Sequence, residues 1–138
     1  MKVAFFFISL LFFTQHTLAD DKAIMVIANT QNADIQLTRQ QVRNLFMGGV
    51  LSYDFVPIAL PTDNQARVLF NTKVVGLTES RIQSYWAQMR FTGRKKPPLE
   101  LQNERLVIEY VMNNQGAVCY LPADVPLPEG LTVLYTSH

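Results

Sequence analysis

Apolar positions come first as one unbroken run, VAFFFISLLFF over Val3–Phe13, and after Ala19 as short segments of two different periods. Ala23–Ala28, AIMVIA, is continuously apolar and rich in branched side chains, the pattern of a central strand buried on both faces. Asn29–Asp34 is polar and reads as a loop. Thr38 followed by Gln41 predicts a capping box, and Val42, Leu45 and Phe46 then share one helical face until Gly48-Gly49 ends the helix. Val50–Phe55 connects to a second strand, Val56–Leu60. The polar triplet Thr62-Asp63-Asn64 starts a helix that runs to Val75, is expected to bury Val68, Leu69 and Val75, and closes at Gly76. Thr78 caps a third helix to Met89 with Ile82, Trp86 and Met89 inward. Phe91–Pro98, FTGRKKPP, is a loop, because its prolines bar helix and its charges require water. A fourth helix over Asn103–Asn113 turns Leu106, Val107, Tyr110 and Val111 inward and ends before Gly116. Ala117–Leu121 is the third strand, Pro122–Gly130 a proline-spaced connection and Leu131–Tyr135 the last strand. This order predicts an α/β fold, a small mixed sheet flanked by helices. Three helices between the second and third strands leave the strand order open.

The opening run changes how much of the chain belongs to that fold. Met1-Lys2 supplies a positive start, Val3–Phe13 is too short to span a bilayer, and Thr17-Leu18-Ala19 has the small-x-small form of a cleavage site. The expectation is a signal peptide over residues 1–19 and a single domain over residues 20–138, 119 of the 138 residues, located in the periplasm or secreted. No Cys follows the run to take a lipid, and no later segment is long enough to cross a membrane. A domain of that length buries roughly 65% of its unfolded surface.

Charge and composition then exclude several functions. Without Lys2 the domain holds eleven basic and eleven acidic residues, a poor balance for nucleic acid, whose binding depends on neutralising phosphates. One cysteine, Cys119, allows no internal disulfide, and inside an apolar strand it reads as a small hydrophobe. Of the two histidines, His16 lies in the signal segment and His138 is the last residue, so no imidazole is held for a nucleophile triad. No Cys/His/Asp/Glu cluster has metal spacing, and the six glycines form neither common phosphate cradle, GxGxxG nor GxxxxGK. Glu100, Glu104 and Glu109 are expected on the wet face of the fourth helix. These absences argue against an enzyme and against any cofactor or metal.

Three features remain that could bind. The helix start at Thr62-Asp63-Asn64, with Arg67 on its first turn, presents free N–H groups to an anion, or is an ordinary N-cap whose side chain fills them. The loop beyond the first strand, Asn29-Thr30-Gln31-Asn32, lies where open α/β sheets gather ligands, or satisfies its own turn. Arg90 joins Arg94, Lys95 and Lys96 to put four positive charges within seven residues, either a solvated loop or an interaction surface.

The succession IMVIAN, LTRQQVRNLFMGG, VPIALP, a capped helix ending near Phe70, and NNQGAVCYLPAD resembles the phosphate-type periplasmic substrate-binding proteins of ABC transporters, of the type 2 periplasmic-binding-protein class. In that family a strand ending in Asn leads to a helix reading L-T-x-x-Q-x-x-x-I-F-x-G, and a late N-x-G-A-I-G-Y returns to the sheet. Leu37-Thr38, Gln41, Leu45-Phe46, Gly48, Asn114, Gly116-Ala117-Val118 and Tyr120 match. The resemblance implies one lobe of such a protein, the second. The family's anion-binding helix start reads S-G-T-R-x-x-F. Arg67 and Phe70 keep that pattern, whereas Asn64, Gln65 and Ala66 replace S-G-T, and Leu60 stands where an upstream arginine is expected. The implied function is an exported, non-catalytic phosphate-binding-protein-like domain with weak or no binding of phosphate or another small anion at Asn64, Gln65 and Arg67, with Asn29 and Thr30 as candidate neighbours. The alternative is a periplasmic interaction module that docks an envelope protein or a second copy through Arg90, Arg94, Lys95 and Lys96.

Overall fold

A computed structural model describes residues 22–138; the predicted signal segment, residues 1–19, lies outside the described residues. Five strands form one sheet: β1 (Ile24–Ala28), β2 (Val56–Ala59), β3 (Leu99–Glu100), β4 (Ala117–Pro122) and β5 (Thr132–Thr136), in the order β3-β2-β4-β1-β5. β1 runs antiparallel to both neighbours, pairing Ala28 with Val118 and Met25 with Thr136, with an irregularity between Val26 and Ile27 on the β5 side. β2 runs parallel to β4 and to β3. The sheet is therefore mixed, in agreement with the sequence, and its centre is β4 and β1, whose residues are buried almost throughout.

Four helices pack on this sheet: α1 (Arg39–Phe46), α2 (Gln65–Phe70), α3 (Glu79–Phe91) and α4 (Glu104–Asn113). Thr38 caps α1 through the reciprocal box with Gln41, and Val42, Leu45 and Phe46 are buried as the spacing predicts. Thr78 Oγ1 accepts from the Arg81 N–H at the start of α3, and Ile82 and Trp86 are buried while Met89 is half-buried. α4 begins at its Asn103 cap and buries Val107 and Val111. Gly116, at φ +85°, turns α4 back into β4; a Cβ there would lie 2.7 Å from the Asp54 carbonyl oxygen, so a larger residue strains the turn.

Two expectations are corrected. The helix after Asn64 does not bury Val68, which is 46% exposed; it buries Ala66, Arg67 and Phe70. α2 passes directly into a π-helical turn, Asn71–Val75, where the Gly76 N–H reaches back five residues to the Asn71 carbonyl at 2.7 Å. That wider turn keeps Asn71, Val74 and Val75 on the buried side. Glu100 is not on the wet face of α4. It lies in β3, a two-residue strand beside β2 that no local pattern announces, because Pro97-Pro98 precedes it and both its residues are largely exposed.

Candidate functional site

Arg67 is the centre of the polar interior. Asn64 starts α2, and its Oδ1 accepts from the Ala66 N–H at 2.8 Å, so this cap already occupies one free donor. Gln65 is exposed. Arg67, one turn in, is only 7% exposed and spends its guanidinium inside the protein. Its Nε and Nη2 donate to Glu79 Oε1 and Oε2 at 2.5 and 2.9 Å, a bidentate fork. Nη1 donates to Glu100 Oε1 at 2.7 Å and to the Leu60 carbonyl at 2.9 Å. Glu79 accepts further from Asn71 and Gln83. Burial opposes the charge of both Arg67 and Glu79, but their hydrogen bonds outweigh it: the guanidinium is raised above its ordinary value and the Glu79 carboxyl is held below the usual carboxylate range. One guanidinium between two carboxylates leaves a net charge of −1.

The cluster forms one wall of a cavity of about 80 Å³ between the sheet and α3, with Trp86, Arg90, Pro98 and Tyr120 among its other walls. Tyr120 closes the floor. Its ring stacks on Phe70 with centroids 4.0 Å apart, and its hydroxyl accepts from the Leu60 N–H at 3.1 Å. Burial pushes the Tyr120 phenol and the neighbouring Cys119 thiol well above their ordinary values, so the thiol stays protonated and inert.

The other predicted residues lie elsewhere. β1 is antiparallel to β4 and β2 is parallel to it, so the end of β1 sits beside the start of β2: the Asn29 N–H donates to the Ala117 carbonyl, and the Val56 N–H to that of Gly116. Asn29 and Thr30 therefore line an open groove with Tyr53, Phe55 and Gln115 at one end of the sheet, while Asn64 and Arg67 stand at the other. Asn29 Nδ2 donates to the Met112 carbonyl at 3.1 Å, and Thr30 Oγ1 accepts from the Asn32 N–H at 3.3 Å. Arg90, Arg94, Lys95 and Lys96 are all exposed and surround a shallow depression at the end of α3. Among the described residues no ion pair joins any of these four.

Sequence reasoning missed Glu79, Asn71, Tyr120 and the place of Glu100. Glu79 follows the Thr78 cap and reads as an ordinary first-turn acid. One signal was available: Arg67, Phe70, Asn71 and Val74 share a helical face, so a phase anchored on Phe70 turns Arg67 inward.

No family model matches the sequence, and no curated protein matches it. Solved structures do. The fold is similar to an ABC-type phosphate transport receptor from Vibrio cholerae (TM-score 0.61, 15% identity, 82% of this chain and 45% of that one). It is similar to a protein assigned as a phosphate ABC transporter substrate-binding protein from Clostridium perfringens, solved with bound phosphate (0.63, 13%, 82% and 44%). It is also similar to PstS from Borrelia burgdorferi (0.60, 11%, 82% and 46%). The chain thus spans less than half the length of these proteins, and the likeness is one of fold: a mixed sheet with flanking helices that corresponds to one lobe of a phosphate-type substrate-binding protein.

Proposed function

We propose that this chain is an exported, non-catalytic domain on the lobe fold of the phosphate-binding proteins, and that it holds phosphate or another small anion weakly or not at all at Asn64, Gln65 and Arg67. Similarity in fold to a phosphate transport receptor, and to a protein solved with bound phosphate, supports a small anion as the ligand class. The observation that carries the weakness is the commitment of Arg67. Four of its hydrogen bonds go to Glu79, Glu100 and the Leu60 carbonyl, and the surplus carboxylate repels an incoming anion. The hydroxyls of the family's S-G-T are replaced, and Asn64 is spent on the cap. The buried, protonated Cys119 offers no nucleophile.

Calorimetric titration of the protein with phosphate at neutral pH is the test. The expected dissociation constant is about millimolar or weaker, as for an anion competing with water and screened by salt. Micromolar binding would overturn the reading. Glu100→Gln removes the surplus charge while leaving the better-held Glu79 pair intact, so it is expected to tighten phosphate binding about fivefold. A thermal-shift series with phosphate, sulfate and organic anions separates the ligand classes, since any ligand of the native state raises the melting temperature.

A further inference from the structure

The two most exposed large apolar side chains among the described residues are Phe91, 94% exposed, and Val50, 92% exposed. Phe91 is the last residue of α3, and Val50 lies on the loop after α1, which adjoins the loop that follows α3. Gly48 comes so close to the second loop that a Cβ there would lie 2.8 Å from Lys95 Cδ and 3.1 Å from the Trp86 ring. Both loops are fastened to α3: the Tyr85 hydroxyl donates to the Met47 carbonyl at 2.7 Å, and the Gly93 and Arg94 N–H groups donate to the Arg90 and Met89 carbonyls. The exposed cations Arg90, Arg94, Lys95 and Lys96 flank Phe91 along the chain, and no acidic side chain lines the depression they surround.

We propose that this face, Met47–Val50 with Arg90–Lys96, docks the protein on an anionic phospholipid bilayer. Phe91 and Val50 enter the headgroup boundary, and the four cations meet lipid phosphates. The arrangement discriminates between a bilayer and a protein partner. A protein–protein interface gathers its apolar residues into a charge-depleted core, whereas here Phe91 is next to Arg90 in the chain and the loop that carries Val50 meets Lys95 at Gly48. A bilayer accepts isolated apolar tips and rewards each nearby cation through its negative surface potential. Among the described residues no helix is long and apolar enough to cross a membrane, so the contact is with its surface. The proposal uses none of Asn64, Gln65 and Arg67, and it stands or falls apart from the anion reading.

The test reads the contact at its own position. In the full chain, Phe91→Trp places a fluorophore at the most exposed large apolar side chain of the face, while the native Trp86 is buried and supplies a constant background. The protein is mixed with vesicles of phosphatidylglycerol and, separately, of neutral phosphatidylcholine. Expected are a blue shift and quenching by lipid-borne bromine on the anionic vesicles alone, reversed by high salt. Adding Arg94→Glu and Lys95→Glu to that variant is expected to weaken the response at least about tenfold. No shift on anionic vesicles, an equal shift on neutral ones, or an unchanged response after charge reversal would overturn the proposal. The same holds if the face binds an acidic protein while giving no lipid signal.

Discussion

Arg67 is read differently in the sequence and in the fold. In the sequence it stands at the arginine of S-G-T-R-x-x-F; in the fold it is a buried cation balanced by Glu79 and Glu100. Arg67→Ala removes one partner from a largely desolvated group and is expected to cost about 3 kcal/mol, measured by urea denaturation. Glu100→Gln, on a side chain 48% exposed, is expected to cost less than about 1 kcal/mol. The ratio of the two costs tests whether Glu79 is the principal partner. Tyr120→Phe leaves the buried Leu60 N–H without an acceptor and is expected to cost about 1–2 kcal/mol with the ring stack retained.

At the scale of elements, α1 was the most legible, because its cap, its apolar face and its terminus agree with one another. Thr38→Ala abolishes the capping box and is expected to lower stability by about 1 kcal/mol. In α2 the expectation fails at Val68, whose place in the interior Arg67 takes, while Leu69 is half-buried and Val75 is buried as expected. Apolar periodicity favours Val68 over a charged neighbour for the interior, and it cannot register two carboxylates arriving from α3 and β3 to neutralise Arg67. The π-helical turn at Asn71–Val75 hides for a related reason: the widened turn is held by the burial of Asn71, Val74 and Val75 against other elements. β3 carries only two residues and exists through its pairing with β2.

Over the whole molecule, stability should depend on pH at both ends. The Glu79 carboxyl is held below its ordinary value of 4.5, so its contribution is complete above that value and is lost as pH falls below it. Cys119 and Tyr120 are raised above 9.0 and 10.0, so burial favours the fold below pH 9 and the unfolded chain gains by ionising above it. Denaturant midpoints should therefore fall below pH 4.5 and again above pH 9. Tyr120→Phe should flatten part of the alkaline limb, and an alkaline limb of unchanged slope in that variant would contradict this account.

The sequence by itself determined the fold class, the mixed sheet's main strands, the helices and their caps, because these follow from local period and from side chains that reach no further than one turn. Tertiary structure alone decided the strand order, the opposite placement of Asn29–Thr30 and Asn64–Arg67, and the union of Arg67 with Glu79 and Glu100. Those features depend on strand direction and on contacts between residues 12 and 33 positions apart, which no local pattern records.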